Sequence, residues 1–157
     1  MIDISIGIEG SEEFKRKLGI TISEVQNLKP VFEGPIKEYL KTEMKKQFSS
    51  QGSYGGSPWP SNSYKYNVWK SKKVGHTRIL EFSGRLKNSI IGNTMYSRYV
   101  TSKNSLEFGT SVPYAKYQNN GTSRGIKPKR IFAMTPGQKK ALVTIIQREL
   151  LSIYEGK

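Results

Sequence analysis

The sequence predicts an α+β fold: a small antiparallel sheet packed on one face by long N-terminal and C-terminal helices, with a long Gly/Ser/Pro-Trp loop between them. Three patterns carry that reading. Ile2, Ile4, Ile6 and Ile8 alternate with polar or small residues, the period of a half-buried strand. Ile36, Leu40, Met44 and Phe48 recur every four residues, which is one face of a helix. Two stretches rich in β-formers, 90–100 and 106–112, flank a turn at "TSKNS", as a hairpin would.

The elements follow in order. After the first strand, Ser11 suits an N-cap, and Glu12 and Glu13 complement the positive end of a helix. Phe14, Leu18, Ile22, Val25 and Leu28 then describe one helical face. Lys29-Pro30 marks a boundary, because the residue before proline is pushed out of the α region. Gly34-Pro35 begins a second helix with proline at its first position. Its outer face carries Lys37, Glu38, Lys41, Lys45 and Lys46.

"SSQGSYGGSPWPSNS" (49–63) is loop by composition. Trp59, set between two prolines, predicts an anchor onto a surface, the chain's own or a neighbour's. "YKYNVWKSKKVGHTR" (64–78) reads as loop or short helix, so the irregular region is expected over about 49–78. Ser83-Gly84-Arg85-Leu86 separates two apolar stretches ahead of the hairpin. Pro113 stops the return strand, and 117–121 makes a turn with Gly121 at positive φ. "TSRGIKPKR" then extends as an arm or loop toward a neighbour, and 130–134 returns as a short strand. Thr135 and Pro136 begin the last helix, whose apolar set is Leu142, Ile145, Ile146, Leu150 and Ile153. There is no internal repeat, and 1–157 reads as a single domain.

Charge is the loudest signal bearing on function. The formal net charge is +14. Residues 1–44 hold 6 basic and 8 acidic side chains, whereas residues 45–157 hold 20 and 4. Such a field attracts polyanions or an acidic protein face. Catalytic chemistry has little to work with. There is no cysteine, which excludes Cys nucleophiles, Cys-based zinc sites and disulfides. His76 is the one histidine, and acids are sparse after Glu43. A triad needs an acid to orient its histidine, and a magnesium site needs clustered carboxylates. "GSYGGS" lacks the spacing and the preceding strand of a phosphate loop. The expectation is a non-enzyme with no catalytic residues, no metal and no cofactor. The N-terminus lacks the basic and apolar regions of a signal peptide, and no run of about 18 apolar residues offers a membrane span.

One binding pattern competes. Tyr64, Tyr66 and Trp69 interleave with Lys65, Lys70, Lys72 and Lys73, and stacking plus phosphate neutralisation is how single strands are held. A small basic nucleic-acid-binding protein is therefore the alternative reading, although no RNP motif, KH loop or Cys/His finger is present.

Three pieces recur in a set order: "GSYGGSPWPSNSYKYNVWK", "RILEFSGRLKNSI" and "VPYAKYQNNGTSRGIKPKRIFAMT". This series resembles the phage virion morphogenesis family, small tail-completion or tail-terminator proteins of tailed bacteriophages. The resemblance spans roughly 48–135. It rests on Trp59, Pro60, Lys70, Leu80, Gly84, Leu86, Ser89, Tyr114, Ala115, Gln118, Gly121, Arg130 and Phe132. Gln118 stands where the family often has His, and Ser61 where it has Leu. The resemblance implies a structural protein made in the host cytoplasm and placed at the neck or tail end of the virion. It implies a homo-oligomeric ring of six copies, with tail-tube and head–tail connector proteins as partners. Nonspecific contact with packaged DNA is a further expectation, and no membrane is involved. The candidate interface residues are Trp59, Lys70, Lys72, Lys73, Tyr114, Tyr117, Gly121, Arg124 and Arg130.

Overall fold

The computed structural model describes residues 2–7 and 27–155, with side chains described over 27–152. The helix expected over 11–28 lies almost wholly outside the described residues.

Strand β1 is Ile2–Gly7. A continuous helix, α1, then fills 29–49. It opens with an α turn, Lys29–Val31, continues as a π-helical segment, Phe32–Ile36, and ends as an α-helix, Lys37–Ser49. Pro30 sits in the first turn, where a missing N–H costs nothing. Pro35 lies inside the π segment. A proline cannot donate to the helical ladder, and the wider π turn absorbs that loss. The helix therefore begins at Lys29 rather than at Pro35. Phe32, Ile36, Leu40, Met44 and Phe48 are all buried, as their four-residue spacing predicts. Each contributes about 2 kcal/mol of apolar burial.

The loop after α1 contains one 3-10 turn, Ser53–Gly55. A helix interrupts the irregular region expected over about 49–78, and irregular chain resumes over 75–84. Tyr64–Val74 forms helix α2, and Ser63 caps it by accepting the Tyr66 N–H at 3.3 Å. Helix α3, Arg85–Ile91, takes residues expected to begin a strand. Leu86, Ser89 and Ile90 are buried at helical spacing. Ser89 Oγ meets Thr110 Oγ1 at 2.6 Å, so packing on the sheet overrides the β-propensity of the two isoleucines.

Strands β2 (Ser97–Thr101) and β3 (Ser105–Thr110) form the expected hairpin. The antiparallel sheet has the order β1-β3-β2. Phe108 pairs with Ile4 on one side and with Tyr99 on the other. Leu106, Phe108 and Thr110 are buried on the helix-covered face. The opposite face carries the Arg98–Glu107 ion pair. The Tyr99 hydroxyl donates to the Phe32 carbonyl, fastening α1 to the sheet. At the other end, the Leu28 N–H donates to the Lys103 carbonyl at 2.8 Å.

Helix α4, Ala115–Asn120, replaces the turn expected at 117–121 and ends at Gly121, φ +75°. Residues 130–134 form no strand. They still reach the core, because Ile131 is buried and Phe132 meets Phe108 edge-on at 6.3 Å. The last helix, α5, is Pro136–Glu155. Thr135 and Gln138 close its start reciprocally: Gln138 N–H to Thr135 Oγ1 at 3.3 Å, and Thr135 N–H to Gln138 Oε1 at 2.6 Å. Helix α5 lies against α1. Glu43, buried on α1, accepts from Gln138 Nε2 at 2.8 Å, from Lys46 Nζ at 3.1 Å and from the Tyr54 hydroxyl at 3.1 Å. Among the described residues no helix is long and apolar enough to cross a membrane.

Candidate partner-binding groove

The three sequence pieces, far apart along the chain, meet at one open groove of about 1010 Å³. The first wall is Pro60 to Ser63 with Tyr66 and Lys70 of α2. The second is Leu80 to Leu86, which leads into α3. The third is Tyr114 and Gln118 of α4 with Gly125, Ile126, Lys127 and Lys129.

Each wall has a local reason for its place. The first is tied down by Trp59, which is buried and meets Phe48 edge-on at 5.2 Å. Gly52 makes that seat possible. It has φ +91°, and a Cβ there would stand 2.6 Å from Trp59 Cδ1. The second wall is braced by Lys87 Nζ on Glu81 Oε2 at 3.0 Å and by the Arg78 guanidinium 3.6 Å from Glu81 Oε1. The third folds back on α4. The Lys129 N–H donates to the Gln118 carbonyl at 2.8 Å, and the Ile131 N–H to Asn119 Oδ1 at 2.9 Å. Its tip is closed by the Thr122 N–H on the Ile126 carbonyl at 2.9 Å. Of the two forms expected for this stretch, arm or loop, the structure has the loop, folded back on α4 with its inner side lining the groove.

The electrostatics are lopsided. Lys70, Arg85, Lys127 and Lys129 line the groove against the single acid Glu81. Lys70 and Lys129 are themselves buried. Lys70 donates to the Arg78 carbonyl. Lys129 Nζ donates to Gln118 Oε1 at 3.1 Å. Burial pushes the Lys70 ammonium below the ordinary lysine range, with the Glu81 charge working against that shift. Burial alone pushes Lys129 the same way. Glu81 Oε1 is buried with no hydrogen-bond partner among the described residues. At the rim, Phe82 stacks on Trp69 with ring centroids 5.5 Å apart, and Trp69 meets Tyr66 at the same distance.

The candidate interface residues divide accordingly. Tyr114 lines the groove, exposed. Trp59 and Lys70 are spent on the fold, so neither is a free contact surface; their polar atoms hold the carbonyls of Arg130 and Arg78. Lys72 and Lys73 are exposed in the last turn of α2, where cations suit the helix dipole. Tyr117 is exposed on α4 under Lys116 Nζ, 4.9 Å from its ring centre. Gly121 ends α4, Arg124 is exposed at the loop tip, and the Arg130 side chain is exposed. None of these last six lines the groove except through its neighbours. The groove instead gathers Glu81, Phe82, Arg85, Gln118, Lys127 and Lys129. Of these the sequence signalled Gln118 through its motif, and the rest carried no local mark.

Among the described residues no three His, Asp or Glu side chains come together as a metal site would require. What the arrangement offers is surface recognition: cations, aromatic faces and one buried acceptor. A search of curated proteins and a search of solved structures each returned no match. A family model does match, over residues 11–156. Its family is one of virion structure and assembly, and the match covers nearly the whole sequence, including every wall of the groove. The chain belongs to the phage virion morphogenesis family.

Proposed function

We propose that the protein completes or terminates the phage tail and joins it to the head, as a ring of six copies at the neck. The family match over 11–156 carries this reading. The structure supports it in kind. The groove is furnished for contact rather than for bond-making, and the surplus of positive charge favours docking on acidic surfaces. The role is structural, without catalysis, and its partners are tail-tube and head–tail connector proteins. A lysate of phage lacking the gene should contain full heads and separate tails. Adding the purified protein should join them. Joined, infectious particles in that lysate, or absence of the protein from washed virions, would overturn the reading.

One observation favours a second contact. The exposed ring stack of Trp69 and Phe82 stands beside exposed Lys65, Lys72 and Lys73. This face of α2 suits nonspecific contact with packaged DNA.

A further inference from the structure

We infer that the groove is a docking site for an extended, acidic peptide segment of another virion protein, carrying at least one large apolar side chain. The inference concerns the groove alone and does not depend on where in the virion the protein sits.

Three observations lead there. The lining holds four cations and one acid. Two of the cations, Lys70 and Lys129, are buried with their ammonium groups already donating to the chain. Lys127 and Arg85 remain exposed. Two discrete exposed cations match a few carboxylates. A nucleic acid would bring a charge at every phosphate and would ask for a continuous basic track. Next, apolar groups are left out of the core on both sides: Tyr66 at 40%, Phe82 at 44%, Tyr114 at 39% and Ile126 at 37% exposure. These offer a seat for an aromatic or aliphatic side chain between them. Last, Glu81 Oε1 is buried in the lining without a hydrogen bond, 3.6 Å from the Arg78 guanidinium. Its carboxylate sets a negative charge in the lining, which a phosphate at every nucleotide would meet and a segment with a few placed carboxylates can avoid. The cations, the apolar seat and this placed acid together select peptide over nucleic acid.

The test is a selection. A displayed library of short random peptides is panned on the wild-type protein and counter-panned on a Lys127→Glu, Tyr114→Ala variant. Survivors should be rich in Asp and Glu and carry an aromatic or large aliphatic residue. Synthetic survivors, titrated by fluorescence anisotropy, should weaken about tenfold on Lys127→Glu and on Ile126→Ser, both exposed substitutions. They should be unaffected by Lys72→Glu, Lys73→Glu, which lies outside the groove. Circular dichroism and melting of each variant separate loss of binding from loss of fold. No enrichment over the counter-selection, or enrichment of neutral or basic peptides, overturns the proposal. So does oligo-dT that binds as tightly and loses affinity with the same groove variants. Displacement of the survivors by a peptide copying the acidic N-terminal segment 1–14 of this chain would assign the groove to a second copy instead, and would equally overturn it.

Discussion

Trp59 donates its indole N–H to the carbonyl oxygen of Arg130 at 3.3 Å, across 71 residues of chain. Gln47 on α1 donates to the same carbonyl at 3.4 Å, and its Oε1 accepts the Gly55 N–H at 2.7 Å. The loop before the first wall and the turn after the third are therefore locked to one helix. Replacing Trp59 by Ala empties a buried site and should cost about 3–5 kcal/mol. Trp59→Phe keeps most of the apolar volume and loses the donor, and should cost about 1–2 kcal/mol. Urea unfolding reads both. The lock also predicts faster proteolysis within 122–130 in Trp59→Ala under native conditions. An unchanged urea midpoint in Trp59→Ala would contradict this account of the loop.

Lys70 is the most buried cation described, 2% exposed, and donates to the Arg78 carbonyl. Its side chain closes the floor between α2 and the second wall. Lys70→Ala removes the stem and strands that carbonyl, at about 2–4 kcal/mol. Lys70→Met keeps the stem and loses only the donor, so it should cost about 1 kcal/mol and retain the fold. If instead Lys70 served a partner from the surface, Lys70→Ala would leave the melting temperature unchanged.

How much of this was legible in the sequence depends on what each stretch is packed against. The α1 face could be read because its apolar residues meet the core at helical spacing. Helix α2 could be read only as loop or short helix, since among its residues only Lys70 is buried. With no apolar stripe, the remaining signals were Ser63 before it and Gly75, at φ +76°, after it. At 85–91 the β-branched Ile90 and Ile91 pointed to a strand, and contact with the sheet decided otherwise. The groove was least legible. It unites stretches tens of residues apart, and the burial of Glu81 and Lys129 runs against the rule that charge means exposure. Shared motif pieces gave it away only as a family pattern, not as a surface.

Gly121 has φ +75° and ψ −177°, a region open essentially to glycine alone. A Cβ would also fall 2.6 Å from the Ile126 carbonyl oxygen and 3.0 Å from Pro128 Cδ. Gly121→Val should therefore destabilise the protein by at least about 2–3 kcal/mol. The third wall should open first, seen as faster amide exchange over 122–130. A melting temperature equal to wild type would show that the wall does not need this turn.

The exposed end of α2 predicts a salt signature. Lys72→Glu, Lys73→Glu should lower affinity for duplex DNA and reduce the slope of log K against log salt by about two, one for each lost phosphate contact. Stability should move by less than about 0.5 kcal/mol, because both side chains are exposed. An unchanged slope would remove α2 from any contact with packaged DNA.

Alkaline pH should act on two pairs of groups in opposite directions. Burial raises Tyr39 to about 12, reinforced by the nearby Glu43 carboxylate. Burial also raises Tyr99, with Glu33 and Glu38 adding to it. Each folded value lies above the unfolded one near 10, so the stabilisation is complete below pH 10. It is lost as pH climbs toward 12, because only the unfolded chain gives up the proton. Lys70 and Lys129 are lowered by burial. For them the unfolded chain binds more protons between the lowered value and about 10.5, and stability rises with pH across that window. The urea midpoint should thus hold or rise up to about pH 10 and fall above it. Tyr39→Phe should flatten the fall, and Lys70→Met should flatten the rise. A midpoint that already declines steadily from pH 8 to 10 would show that the folded chain holds its lysine protons more tightly than the unfolded chain, against the direction that burial imposes.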